Sequence, residues 1–126
     1  MVILCNDIIL LIYEYSRFCS KLKFCHMCRS LMNKLIITSF NNLPYELERR
    51  INDAILLNYP DLTGLDIMNN ANVTNINHLT KLIILNVSGI CGVDNKGIMN
   101  CTNVEKLRVN YNPKITDVNH MTKLTS

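Results

Sequence analysis

From Leu62 onwards the aliphatic residues return at fixed offsets: Leu62-x-x-Leu65-x-Ile67-x-x-Asn70, then Leu82-x-x-Leu85-x-Val87, then Val104-x-x-Leu107-x-Val109-x-x-Asn112, with a further start at Leu124. The starts Leu62, Leu82, Val104 and Leu124 are almost evenly spaced. Within a unit, Leu65 and Ile67, or Leu107 and Val109, alternate as the inward residues of a short strand do. Units of this length cannot bury an apolar face alone and must stack on their neighbours, so the pattern predicts strands side by side in one parallel sheet. Asn70 and Asn112 stand where each strand turns away, and a side-chain amide there can both donate to and accept from backbone left unpaired by the turn.

The segments between strands repeat as well. Val73 to Leu82 (VTNINHLTKL) and Ile115 to Leu124 (ITDVNHMTKL) match at six of ten positions and lie two units apart. The longer repeat is therefore a pair of turns. In both segments, Val73/Ile115, Ile76/Val118 and Leu79/Met121 are spaced to point inward, which suits an extended or 3₁₀ return leg better than a long helix. The whole pattern resembles a leucine-rich repeat. The middle unit carries Ile90-Cys91 where its neighbours carry Asn, and resembles the cysteine-containing subtype with one residue too many, so a local bulge is expected there. Residues flanking the inward positions alternate out of the core. Gly64, Asp66, Met68, Ile84, Asn86, Ser88, Lys106, Arg108 and Asn110 are therefore expected on an exposed, concave sheet face. Of these, Asp66, Met68, Ile84, Asn86, Lys106 and Arg108 are the candidate contacts for a target protein. The array stops at Leu124-Thr125-Ser126, where a further strand would begin, and reads as truncated, with a loosely held last turn.

Upstream the periodicity changes. Leu4 to Leu35 reads as short helices: Ile8, Leu11, Ile12 and Tyr15 fall on one face after Asp7, Ser16 to Ser20 form a loop, and Leu22, Cys25 and Cys28 or Met27 line a second helix. A third segment carries Leu31, Met32 and Leu35. Next, Pro44 at a first helical position, Glu46 and Glu48 in the first turn, and a stripe at Leu47, Ile51, Ala54 and Ile55 predict one helix covering the first repeat. Tyr59-Pro60 ends it. The fold class is thus α+β, with helices over residues 1–40, a capping helix within 41–61, and about three repeats over 62–126.

The string LCNDIILLIYEYSRFCSKLKFCHMCRSL resembles an F-box, the helical motif that docks on the linker subunit of cullin-based ubiquitin ligases. Leu4 takes the motif's leucine, Asp7 its acid, Ile8, Ile9 and Ile12 its first helix, Leu22 and Phe24 its second, and Met27-Cys28-Arg29 its Val-Cys-Arg. Cys5 stands where proline is usual and Leu31 where tryptophan is usual, and the same residues also suit an ordinary helical cap. F-box-like helices followed by repeats are similar to F-box/leucine-rich-repeat proteins of the kind found in amoeba-infecting giant viruses. The resemblance implies a substrate receptor, with Leu4, Ile8, Ile12, Cys28 and Leu31 against the linker subunit, the cullin beyond it, and an unidentified target on the repeats. An interaction module with no ubiquitin role is the other reading.

Composition narrows this further. The net charge of +3 is small and scattered. Arg49-Arg50 is the only adjacent basic pair and no aromatic residues interleave with a basic stripe, so no nucleic-acid partner is expected. The apolar run Ile8 to Tyr13 is too short to span a bilayer, and the N-terminus lacks the basic stretch of a signal peptide, so an intracellular, cytoplasmic protein without a membrane partner is expected, in a host cell if viral. Six cysteines in that setting read as reduced thiols. Cys25-x-x-Cys28 lacks a second pair, so no metal and no cofactor are expected. Phosphate loops and hydrolase or metalloprotease motifs are missing, and no enzyme is expected. His78 and His120 recur by repeat spacing and read as solvated surface residues.

Overall fold

A computed structural model describes residues 2–3, 35–36, 38–43 and 45–126. Strands β1 (Val2–Ile3) and β2 (Leu35–Ile36) pair in parallel, Val2 with Leu35 and Ile3 with Ile36. The second sheet has four parallel strands in chain order: β3 (Ser39–Phe40), β4 (Gly64–Asp66), β5 (Ile84–Asn86) and β6 (Lys106–Arg108). The helical segments are short. α1 covers Tyr45–Glu48, α2 covers Asp53–Leu56, and a 3₁₀ turn covers Lys96–Ile98.

One hydrogen-bond motif recurs at every step of the four-stranded sheet. Thr63 and Gly64 N–H both donate to the Thr38 carbonyl, Ile83 and Ile84 to Thr63, and Glu105 and Lys106 to Ile83. Thr125 and Ser126 donate to Glu105 in the same way, and Leu107 N–H donates to the Ser126 carbonyl. Because each rung copies the last, the strands stay in register: Leu65 pairs with Leu85, and Leu85 with Leu107. Below the sheet, Leu62, Leu65, Ile67, Leu82, Leu85, Val87 and Val104 are buried with Val73, Ile76 and Leu79 of the first return leg. Leu107, Val109, Val118 and Leu124 are only partly buried against this core. The inward residues expected from the pattern are the ones the core uses.

The return legs run without an α-helix, as expected, and their polar side chains form a second ladder. The Asp53 carboxylate accepts from the Thr74 N–H (2.8 Å), the Thr74 hydroxyl (2.6 Å) and the Asn75 N–H (3.2 Å). Asn95, two units further on, bonds Thr116 and Asp117 in the same arrangement. The Lys81–Asp61 ion pair likewise has its counterpart two units on, in the bond from Lys123 to Asn103.

Three expectations upstream are corrected. The single helix expected within 41–61 is two separate turns, because Asn52 adopts an extended backbone and its side chain accepts from the Ile55 N–H (2.9 Å), starting α2 afresh. The break lets Ile51 and Leu56 be buried, whereas Ala54 is exposed. Leu35, assigned to a helix, lies in β2, and Ser39–Phe40 form a fourth strand of the main sheet rather than the end of a helical segment. Phe40 packs edge-on against Tyr59 (centroids 4.9 Å apart), which ties this strand to the chain just before Leu62. Among the described residues no helix is long and apolar enough to cross a membrane.

Candidate functional site

Strand register arranges the outward residues in rows. Gly64, Ile84 and Lys106 form one row, and Asp66, Asn86 and Arg108 the next. Continuing the ladder, Asn69 N–H donates to Ser88 and Gly89 N–H to Asn110, which aligns the turns after β4, β5 and β6.

The face is more closed than its spacing suggests. Lys106, Arg108 and Asn110 are exposed, as are Met68 and Ile84, and Asp66 is half-buried. Asn86 and Ser88 are buried, contrary to expectation. The Asn86 amide is spent within the sheet: its Nδ2 donates to Asp66 (3.0 Å) and its Oδ1 accepts from the Ser88 N–H (3.2 Å). Asn86 therefore positions Asp66 rather than offering an amide to a partner. Gly64 is also buried, because the Asn41 amide and Ser39 hydroxyl lie where its side chain would be.

Asp66 accepts two neutral donors, the Asn86 amide and the Met68 N–H (3.1 Å), and the only ion pair among the described residues is Lys81–Asp61. Burial raises the pKa of the nearby Glu48 carboxyl, and the like charge of Asp66 adds to the shift. The β4 side of the face is thus acidic, β5 is neutral, and β6 is basic through Lys106 and Arg108. Glu48 was not foreseen as part of this surface; no sequence spacing relates α1 to β4.

The turns beyond the strands add exposed apolar side chains. Met68 is 52% exposed, Ile90 80% and Tyr111 94%. Asn69, Gly89 and Tyr111 occupy equivalent turn positions with φ of 58°, 73° and 60°. Ile90 is the extra residue of the middle unit, which accounts for the expected bulge.

The residues expected to meet a linker subunit, Leu4, Ile8, Ile12, Cys28 and Leu31, lie outside the described residues, as does Cys25. Cys91 and Cys101 are buried free thiols; burial raises both, Cys101 to about 12, so each stays protonated at neutral pH. The histidines are not the solvated residues expected. His120 Nε2 lies 3.0 Å from the Ile98 carbonyl, and His78 Nε2 is buried with no hydrogen-bond partner among the described residues, because the return legs stack closely enough to enclose both rings in part. Among the described residues no three His, Cys, Asp or Glu side chains gather as metal ligands. A polar hollow lined by Thr74, Asn77, Asp94 and Lys96 lies between return legs, but the Asn77 amide there is already bonded to the Lys96 carbonyl and the Asn100 N–H. Comparison with known proteins yields no matching family model, curated protein or solved structure.

Proposed function

We propose that residues 62–126 are a short leucine-rich-repeat solenoid whose sheet face is a protein-binding surface. The observation that carries this reading is the in-register parallel ladder, which lines up outward side chains of β4, β5 and β6 while their partners at alternate positions fill the core. Such a face offers a partner fixed rows of side chains on a rigid backbone. Asp66, Lys106 and Arg108 supply charge to it, and Met68 and Ile84 supply apolar area.

In the fuller reading the chain is a substrate-recognition adaptor of a cullin-based ubiquitin ligase, acting inside the cell, with F-box-like residues Leu4 to Leu31 docking the linker subunit and the repeats holding the target. The sequence resemblance of that segment supports this role. The test is capture of linker subunit and cullin from a host lysate by the tagged full chain, beside the double variant L4D/I8D. Two unpaired charges in an apolar interface cost several kcal/mol, so capture should disappear with the variant while circular dichroism of the repeats stays unchanged. Loss of neither protein in the variant, or capture of neither by the wild type, leaves the interaction module without a ubiquitin role.

A further inference from the structure

On either side of β5 the sheet face carries opposite charge, one strand away on β4 and one strand away on β6. Asp66 on β4 and Arg108 on β6 are each one strand away from Asn86, in the same row. Asp66 has neutral donors but no cation against it among the described residues, and Glu48 reinforces its field. Lys106 and Arg108 are exposed and take part in no ion pair among the described residues. Between them β5 presents Ile84, which is 42% exposed, and the internally bonded Asn86 and Ser88. An arrangement of acid, neutral, base is complementary to itself turned over.

We infer that this face binds a second copy of the chain, the two copies related by a two-fold axis running along β5. Turning one sheet over about that axis lays β4 of each copy on β6 of the other and keeps the rows aligned. Asp66 then faces Arg108 of the second copy twice over, Lys106 meets the Gly64–Asp66 end, and Ile84 meets its own counterpart. The same rotation lays the turn after β4 on the turn after β6, so the exposed Met68 and Tyr111 are brought together and Ile90 lies beside the axis. One symmetry operation thus serves both the unpaired charges and the exposed apolar turns, which is the self-complementarity a closed two-fold contact requires. Three strands at about 4.8 Å spacing give a narrow contact, smaller than the roughly 800 Å² per partner of a stable interface, so association is weak and concentration-dependent.

This inference deepens the reading of the sheet face as a protein-binding surface and is independent of linker docking, so failed capture of linker or cullin does not touch it. Sedimentation equilibrium of the full chain over a concentration series tests it. Wild type should associate, and less so as salt rises from about 0.02 M to about 0.5 M, where the Debye length falls from about 20 Å to about 4 Å. D66R and R108D should each weaken self-association about tenfold or more, since each sets like charges opposite one another. Mixed in equal amounts, the two variants should recover association, because a mixed pair restores opposite charges at both contacts. D66N keeps one oxygen for the Met68 N–H but removes the charge and the oxygen that accepts from the Asn86 amide, so it must weaken association even if D66R proves unfolded by circular dichroism. A wild type that stays monomeric throughout, a dimer indifferent to R108D and D66N, or folded reversal variants that stay monomeric when mixed would each overturn the inference. In the first case the face remains open to a different protein, and the proposed function stands.

Discussion

The turns after β4 and β6 and the turn after β5 solve the same problem differently. After β4, the buried Asn70 amide donates to the Glu48 (2.9 Å) and Ile51 (3.0 Å) carbonyls, and its oxygen accepts from the Asn72 N–H (2.9 Å). After β6, Asn112 donates to Val87 (2.8 Å) and Val93 (3.5 Å) and accepts from the Lys114 N–H (3.0 Å). In the middle turn the buried Cys91 thiol stands in place of the amide. Its donors are replaced by close approach: Gly92 N–H bonds the Asn70 carbonyl, and a Cβ at Gly92 would lie 2.3 Å from the Val73 carbonyl oxygen and 2.6 Å from that of Ala71. One kind of turn is held by an amide and the other by bare backbone. The comparison shows that the stack demands satisfied carbonyls and N–H groups, not a particular side chain.

Asn70 is where an amide-held turn has most to lose. N70L keeps the branched shape but strands the Ile51 carbonyl and the Asn72 N–H and leaves the Glu48 carbonyl only the Ile51 N–H, and should cost about 2–4 kcal/mol in a urea titration. N112L should cost less, because its second bond is long; equal losses would show that the outer turns do not depend on these amides in proportion to their geometry. G92A comes next, at about 1–3 kcal/mol, since its Cβ would press on backbone that has no room to give. C91A removes little more than a sulfur and should cost about 1 kcal/mol, less than G92A. A larger loss for C91A would mean that the thiol, not the glycine, holds the middle turn.

The smallest effect contrasts the return legs. Burial alone would raise the Asp53 pKa, but the Thr74 hydroxyl, the Thr74 and Asn75 N–H groups and the nearby His78 together lower it. A carboxyl whose folded value lies below its unfolded one contributes stability above the ordinary range of about 3.9, and loses it as pH falls through the folded value. Asn95 makes the equivalent bonds two units further along and does not titrate. Acid should therefore loosen Thr74 and Asn75 before Thr116 and Asp117 in amide exchange corrected for intrinsic rates, and D53N should remove the difference.

Tyr111 shows how far the repeat tolerates local cost. It holds a φ of 60° where the middle unit has Gly89, and a side chain in that region costs about 1–2 kcal/mol. Asn69, at the same position, uses its side chain to accept from the Ile90 N–H (3.0 Å). The bulge that sequence spacing placed in the middle unit is this inserted Ile90, held by its neighbour's turn.

By itself the sequence determined which residues face the core, that the strands carrying Leu65, Leu85 and Leu107 lie side by side in one parallel sheet, that the return legs are not long helices, and that Asn70 and Asn112 serve the backbone. These follow from alternation and from a period of roughly twenty residues, which are local properties repeated along the chain. Only the tertiary structure decided that β3 joins the sheet, that Asn52 splits the expected helix, that Asn86 and Ser88 are closed off, and that Glu48 lies in the field of Asp66. Each of those depends on a neighbour outside the repeat, or on a side chain choosing an internal partner over solvent. Periodicity places a residue on a face, but exposure is settled by what the adjoining strand and the preceding segment bring against it.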